Sequence, residues 1–515
     1  MALSLPLMIN QLSILFHPFL VSLFFLLSLL FLFIRSRSGG KRKLNLPPSP
    51  PRFPIIGNLH QLGSLLHSSF RDLSLKYGPD LMLLQLGQTP TLVVSSAEMV
   101  KEMIKSHDIV FSNRPRTTAA DILLYGCKDV SFSPYGEYWR QVRKIGVLEL
   151  LSMKRVHQFQ FVRDEEVAIL VERIRKASVK GVPVNLTEML FAVSNNIVSR
   201  CVLGQCFVGE DGKSKFGEVA RRLMTHFVEF SVGDFFPSLR FIDDLRGFTG
   251  RLKKTFGELD AFFDKVIEVH KAVMESDTAD SKDFVDILLR LQNDKMLDFE
   301  FTRNDLKALL IDMFVGGSHT TSTSLEWLMA ELVKNPKVMK KAQEEVRKVV
   351  GKKPKVEMED INQMEYLKCV IKENARLHPP VPLLVPRETT SKIEMGGYHI
   401  PAKTRVFINA WAIQRDPRSW DRAEEFIPER FEKSSVDFKG QDFQLIPFGI
   451  GRRGCPGMSF GITSIEYVIA NLLYWFDWKA SDGGLGENLD MSEANGLTVT
   501  KIVPLRLVPI SYSTT

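Results

Sequence analysis

From Leu12 to Ile34 the chain is a run of Leu, Phe, Ile and Val interrupted only by Ser13, His17, Pro18, Ser22 and Ser28. As a helix such a run reaches about 34 Å at ~1.5 Å per residue, enough for a bilayer core. A cleaved signal peptide would carry positive charge before the apolar run and a small-residue cleavage site after it. Here nothing before the run is basic, and RSRSGGKRK follows it. The sequence therefore predicts a lumenal tail over 1–11, one uncleaved transmembrane helix over 12–34 and a cytosolic body. Pro18 is the residue that could kink or shorten this helix.

A basic and Pro-rich linker over 35–63 comes next. Its second part, LPPSPPRFPIIGNLHQLG from Leu46 to Gly63, cannot be helical, because proline fixes φ and removes donors; it reads as a stiff extended connector. The net charge of +7 belongs to this region. Arg35, Arg37, Lys41, Arg42, Lys43, Arg52 and Arg71 all precede the first acidic residue, Asp72. Removing those seven from the 67 basic residues leaves 60, matched by 60 acidic ones. Charge so placed sets membrane topology and gives no face for nucleic acid. In a cytosolic body the sequon Asn185-Leu-Thr187 reads as a helix start, with Asn185 the N-cap and Glu188 its capping-box partner.

The remainder, 64–515, has the patterning of one large, mainly α domain with small β-sheets. Helical period appears over Glu98–Lys105, Tyr138–Leu150, Gln158–Lys176, Lys253–Met274, Leu306–Val333, Lys337–Val350 and Met364–Leu377. Leu81–Leu86 and Thr91–Val94 read as a hairpin around Gly87-Gln88, with β-like pieces at Ile393–Ile400, Arg405–Asn409, Leu497–Lys501 and Leu505–Val508. Of the five cysteines, only Cys201 and Cys206 are close in sequence, and no His or Cys cluster completes a zinc site.

The strongest chemical signal is Pro447-Phe-Gly-Ile-Gly-Arg-Arg-Gly-Cys-Pro-Gly457. It contains Gly449-x-Gly451-x-x-Gly454, a match to a dinucleotide fingerprint, but that reading needs a preceding buried strand and a βαβ unit. The preceding DFQLIPF is broken by Pro447, and a helical SFGITSIEYVIANLLYWF follows. A second reading uses more of the residues. Pro456 favours a helix start, which puts the Cys455 sulfur at a helix amino terminus where a thiolate is stabilised. The glycines allow close approach of a flat cofactor, and Arg453 could pair with an anionic edge of it. A buried structural cysteine is the third alternative, and it leaves the arginines and glycines without a role.

This segment resembles the haem-binding loop of the cytochrome P-450 monooxygenases, whose pattern FxxGxRxCxG is met by Phe448, Gly451, Arg453, Cys455 and Gly457. Its companions follow in family order. Glu373-Asn-Ala-Arg376 matches ExxR, and Arg430 in Pro428-Glu-Arg-Phe431 is the arginine that completes a buried Glu–Arg–Arg support for the cysteine loop. Trp139-x-x-x-Arg143 resembles WxxxR, whose side chains meet the haem propionates, as does Arg387 in LLVPRET. The resemblance runs from the anchor and proline hinge to the terminal GLTVTKIVPLRLVP, and FSNRP at 111–115 is similar to the plant microsomal branch of specialised metabolism. It implies the cytochrome P-450 fold, haem b with Cys455 as axial ligand to the iron, and a place in the endoplasmic reticulum membrane.

Gly316-Gly-Ser-His-Thr-Thr321 aligns with the family's oxygen-binding segment, usually (A/G)Gx(D/E)TT. Gly316 and Gly317 would leave room for dioxygen, and Thr320 takes the position of the proton-delivering hydroxyl. His319 replaces the usual acid. An imidazole there could relay protons, or turn away and leave the relay to water.

The resemblance further implies that one oxygen atom from O2 enters a substrate while NADPH-cytochrome reductase, with cytochrome b5 as an auxiliary donor, supplies electrons. Arg140, Lys144 and Arg452 could dock an acidic partner of that kind, or be simply solvated. Thr117–Gly126, Met313–Val315, Val381–Val385 and Ala494–Thr498 correspond to pocket walls, and their Ile, Leu, Val and Thr suit a small, largely apolar molecule such as a terpenoid, phenylpropanoid or alkaloid. Two rival functions remain open at this stage: a haem-thiolate isomerase or dehydratase that needs no reductase, and a haem sensor without turnover.

Overall fold

The computed structural model describes residues 20–30, 44–206, 215–275, 283–293, 299–481 and 486–512. The chain divides into two units, one holding the residues up to Leu46 with Gly397–His399, the other Pro47–Gly396 with Ile400–Thr515. In the first, residues 20–30 are helical, with Val21, Phe24, Phe25 and Leu26 exposed. The rest of the expected 12–34 helix and the linker through residue 43 lie outside the described residues. Among the described residues no helix is long and apolar enough to cross a membrane.

The second unit is mainly helical, as the periodicity predicts. Its longer helices are α1 (Leu66–Tyr77), α2 (Ala97–His107), α3 (Glu137–Ile145), α4 (Gln160–Lys180), α5 (Leu186–Leu203), α6 (Lys215–His226), α7 (Phe248–Glu275), α8 (Phe284–Asn293), α9 (Arg303–Lys334), α10 (Pro336–Val350), α11 (Glu365–Leu377) and α12 (Met458–Trp475). The strands are β1 (Leu81–Leu86), β2 (Thr89–Val94), β3 (Val184–Asn185), β4 (Arg387–Glu388), β5 (Ile393–Met395), β6 (Tyr398–Ile400), β7 (Arg405–Ile408), β8 (Phe476–Ala480) and β9 (Arg506–Ser511).

Two elements form the centre. α9 begins at a capping box in which Thr302 and Asp305 satisfy each other's backbone N–H groups. Beyond it Leu306, Leu309, Leu310, Phe314, Leu325, Leu328, Met329 and Leu332 are buried, so this helix is apolar nearly all round and belongs inside the core. α12 is built the same way, burying Ile465, Val468, Ile469, Leu472 and Leu473. α5 lies against α9 so closely that a Cβ on Gly317 would come 2.9 Å from Val198. Only glycine permits that approach.

Small sheets complete the fold. β1, β2, β7 and β4 form one sheet in that order, with β2 parallel to β7 and Arg387 of β4 opposite Val406. β9 lies between β3 and β8 in a second, antiparallel sheet.

Several boundaries differ from expectation for local reasons. The helix expected over Tyr138–Leu150 ends at Ile145 and passes into a π turn over Gly146–Leu150. The one expected to stop at Lys176 continues to Lys180, where Gly181 at φ 62° caps it. Leu497–Lys501 is not a strand; only an isolated bridge joins Lys501 to Glu493. Asn185 does cap its helix, accepting from the Glu188 N–H at 3.3 Å, but the Glu188 carboxylate turns to Arg221 at 2.9 Å and does not close the box.

Candidate active site

A cavity of about 260 Å³ separates α9 from the segment that carries Cys455. Gly316, Gly317, Thr320 and Thr321 line it from α9, and Phe448, Gly449, Arg453, Cys455 and Gly457 from the other element. All five cysteines are among the described residues, and only Cys455 opens on this cavity.

The Cys455 loop is held by its own backbone. The Cys455 N–H donates to the Phe448 carbonyl at 2.8 Å, and the Gly449 N–H to Ile446 at 3.0 Å. Gly451 sits at φ 70°, where a Cβ would meet a carboxylate oxygen of Asp108 at 2.7 Å. α12 begins at Met458, so Pro456 precedes the helix and does not occupy its first turn. The Gly457 N–H still points at the sulfur, and Arg143 adds positive charge. Both favour the thiolate, whereas the surrounding protein, which leaves Cys455 exposed only to the cavity, pushes the thiol up by desolvation. With protein groups alone the burial effect is the larger; a bound cation would reverse it.

Four guanidiniums, Arg114, Arg143, Arg387 and Arg453, line the same cavity. Arg453 donates to the carbonyls of Ser112 (2.7 Å), Val130 (3.0 Å) and Ser133. Arg387 donates to Ile450 O at 2.6 Å, and its other terminal nitrogen has no hydrogen-bond partner. Arg143 donates to Gly454 O at 2.6 Å. Arg114 donates to Ser131 O, Val385 O and Pro386 O at 2.7, 2.6 and 2.9 Å. Burial, reinforced by Arg387, lowers Arg453 to about 9, and burial lowers Arg387 to about 10. Arg114 is depressed by burial and by Arg453 and Arg387. Three buried guanidiniums and the half-buried Arg143, with an Arg387 nitrogen that makes no hydrogen bond and reaches only Asp108 at 3.6 Å, call for an anionic ligand. A flat, apolar, dianionic cofactor with a metal for the sulfur fits this set.

Behind the loop lies the carboxylate–guanidinium cluster. Glu373 and Arg376 are fully buried, with contacts of 2.7 and 2.8 Å, and Arg430 reaches the same carboxylate at 3.0 Å. None of the three touches the Cys455 loop. Gln414 makes the connection, bonded to Arg376 on one side and taking the Ile446 N–H at 2.8 Å on the other.

Three expected site residues are not in the cavity wall. Trp139 lies behind it, giving its ring N–H to Val130 O at 3.0 Å and its face to Arg453 at 4.3 Å. Gly451 serves the approach of Asp108. His319 points toward α5 and α6, edge-on to Phe191 at 5.9 Å, because 100° per residue carries position 319 off the face shared by 316 and 320. Burial and the nearby Arg221 depress its imidazole to about 4, so it is neutral at physiological pH. Its Nδ1 is buried without a partner. The Thr320 hydroxyl stays on the cavity face and donates to Gly316 O. Of the expected substrate segments, Met313, Val381, Leu384 and Val385 reach the wall, and Thr117–Gly126 and Ala494–Thr498 do not.

Sequence reasoning missed Arg114, Asp312 and Gln414. Asp312 lines the cavity one turn before Gly316 and two before Thr320, a spacing that could have revealed it. Arg114 lay inside the quoted FSNRP without a role; nothing in the sequence marks Gln414.

A sequence model described as Cytochrome P450 matches residues 47–505. The chain is 59% identical over 507 residues to phenylacetaldehyde oxime monooxygenase of Prunus mume, covering 97% of this chain and 96% of the relative. It is 56% identical to Cytochrome P450 71A1 of Persea americana (95% and 98% covered) and 49% identical to strychnine-11-hydroxylase of Strychnos nux-vomica (90% and 91%). The family's cofactor is haem, its iron held axially by a cysteine thiolate, and the cavity has one cysteine to offer. The chain belongs to the cytochrome P450 family, as an oxidoreductase of its plant specialised-metabolism branch.

Proposed function

We propose that this chain is a membrane-anchored monooxygenase that uses O2 and electrons from NADPH-cytochrome reductase to oxidise a small, largely apolar specialised metabolite. The observation that carries this reading is one cavity shared by the Cys455 thiol, the Thr320 hydroxyl and four guanidiniums. When bound, the haem supplies oxygen activation, with the thiolate pushing electron density toward O–O cleavage.

The chain's own residues do the rest. Cys455 would hold the iron, with the metal's charge, Arg143 and the Gly457 N–H together offsetting burial to favour its thiolate. Arg114, Arg143, Arg387 and Arg453 would hold the propionates, while Trp139 backs Arg453. Glu373, Arg376 and Arg430 support the loop from behind through Gln414. Gly316 leaves open space at the cavity face, since a Cβ there would meet nothing within 4 Å. Thr320 holds a proton on Oγ1 beside that space, and Met313, Val381, Leu384 and Val385 exclude water around the substrate. His319, neutral and off the wall, lies outside the direct path.

The apolar run 12–34 and the basic residues behind it support an anchor in the endoplasmic reticulum membrane, with the catalytic unit in the cytosol. Arg140, Lys144 and Arg452 are exposed and suit an acidic reductase surface or cytochrome b5. The relatives act on an aromatic oxime and on an alkaloid, so aryl aldoximes and alkaloids head the panel. Microsomes carrying the chain and a reductase should convert a member of this panel to a product with one added oxygen atom, only with NADPH. Conversion that proceeds equally without NADPH would establish the isomerase or dehydratase reading instead.

A further inference from the structure

Residues 129–133 run between two kinds of charge. Their carbonyls face the arginines: Val130 O takes Arg453 and Trp139, Ser131 O takes Arg114, and Ser133 O takes Arg453. Their N–H and O–H groups face two acids. Asp312 of α9 accepts from Val130 N–H at 2.5 Å and from the Ser131 hydroxyl at 2.7 Å. Asp129 accepts from Phe132 N–H at 2.8 Å, and its other oxygen is buried with no partner. Asp129 has no exposed surface, and Asp312 lines the cavity. None of the functional readings above uses either acid.

We infer that Asp129 and Asp312 form a proton-holding pair that takes up a proton when the haem beside it is reduced, so that the haem reduction potential depends on pH. The inference rests on the haem reading given above. Reduction places one added negative charge in a volume whose cations are guanidiniums, which stay protonated and cannot respond. Asp108 is paired on both sides, with Arg452 at 3.5 Å and Arg387 at 3.6 Å. Tyr138 donates to Asp305 and to Lys128 O, and Lys128 pairs with Asp305 at 3.2 Å. Cys127 is a neutral thiol, pushed up to about 12 by burial. Among the chain's own groups the two acids are left to answer the electron, and the Asn variants separate them from the propionates.

Burial raises both, Asp312 to about 6, and the charge of Asp312 adds to the rise at Asp129. Arg143 acts against this at Asp312, as Arg453 does at Asp129. The step balances: one electron from a flavoprotein or chemical reductant goes to ferric iron, and one proton from solvent converts a carboxylate to a carboxyl. The two acids titrate as a pair, and the proton belongs to the pair.

The test is a spectroelectrochemical titration of the holoenzyme from about pH 5 to about pH 8, bracketing the buried acids. The midpoint should fall by up to about 59 mV for each tenfold drop in proton concentration, the limit for one proton per electron. Asp312→Asn and Asp129→Asn should each flatten that slope while the thiolate spectrum persists. A wild-type potential independent of pH overturns the inference, as does a slope that both variants retain. Should the Asn variants fail to hold haem, Ser131→Ala serves in their place. Losing a hydrogen bond to ionised Asp312 should move the bend in the curve to higher pH, and an unmoved bend overturns the pair. A wild-type chain that binds no haem contradicts the preceding reading instead, and its absorption spectrum alone shows this.

Discussion

Arg376 and Gln414 hold each other twice. A guanidinium nitrogen of Arg376 donates to the Gln414 carbonyl at 2.8 Å, and the Gln414 side-chain amide donates back to the Arg376 carbonyl at 2.9 Å. The remaining oxygen of Gln414 takes the N–H of Ile446, directly ahead of the Cys455 loop. The end of α11 and the start of that loop are thus fixed through one neutral side chain.

Removing it should loosen the loop without unfolding the chain. Gln414→Ala strands the buried Ile446 N–H and the Arg376 carbonyl, a cost of about 1–3 kcal/mol per unsatisfied group. The expected outcome is faster transfer of haem to a scavenger protein, with helical content unchanged by circular dichroism. Glu373→Leu should be worse, because two buried guanidiniums lose their counter-charge at about 3–5 kcal/mol. Equal haem-loss rates in wild type and Gln414→Ala would remove Gln414 from the support.

Thr320 and His319 should separate cleanly. Thr320→Ala removes the hydroxyl from the cavity face and should send a larger share of electrons to hydrogen peroxide, by roughly the 10²–10⁴-fold scale of a proton-transfer group at most. His319→Asp should keep or raise coupling, since its side chain lies off the wall beside Arg221, a ready partner for a carboxylate. The measurement is peroxide formed per NADPH consumed. A collapse of turnover in His319→Asp, with haem still bound, would give the imidazole a role of its own.

The arginine cluster predicts effects of opposite sign. Arg387→Gln should stabilise the haem-free protein, because it removes a buried cation that raises the energy of Arg114 and Arg453. The same change should weaken haem binding by about 1–3 kcal/mol through loss of a charged hydrogen bond. Thermal melts of the haem-free form and haem titration together check both halves.

Glu466 on α12 supplies a pH dependence away from the cavity. Burial pushes its carboxyl up to about 7, with Lys368 opposing. A raised folded-state value means the folded protein keeps a proton that the unfolded chain has lost. Stability is therefore greatest below the unfolded value and falls as pH rises through about 7, by up to about 1.4 kcal/mol per pH unit. Glu466→Gln should remove this fall, so the gap in melting temperature between variant and wild type widens from pH ~5 to pH ~7 and then stays constant. A gap that does not change with pH would contradict the assignment.

The periodic helices and the Cys455 motif were legible in the sequence because each depends on residues close together in the chain. α9 and α12 announce themselves by apolar residues at every turn, and Glu373 and Arg376 by a spacing of three. The missing parts depend on contacts across long stretches. Gln414 matters only because Arg376 and Ile446 fold to either side of it, and Arg114 because Ser131, Val385 and Pro386 present three carbonyls to it. His319 shares a motif with Gly316 and Thr320 but not their helix face, and Phe191 of α5 and Arg221 of α6 lie beside its side chain.

The central claim is that Cys455 binds haem iron as a thiolate, and one spectrum addresses it most directly. Reduced holoprotein under carbon monoxide should show the red-shifted Soret band of a thiolate-ligated haem, and Cys455→His should lose that band while still binding haem. A reduced carbon monoxide complex with the unshifted band of histidine-ligated haem in the wild type, or the red-shifted band surviving in Cys455→His, would contradict it.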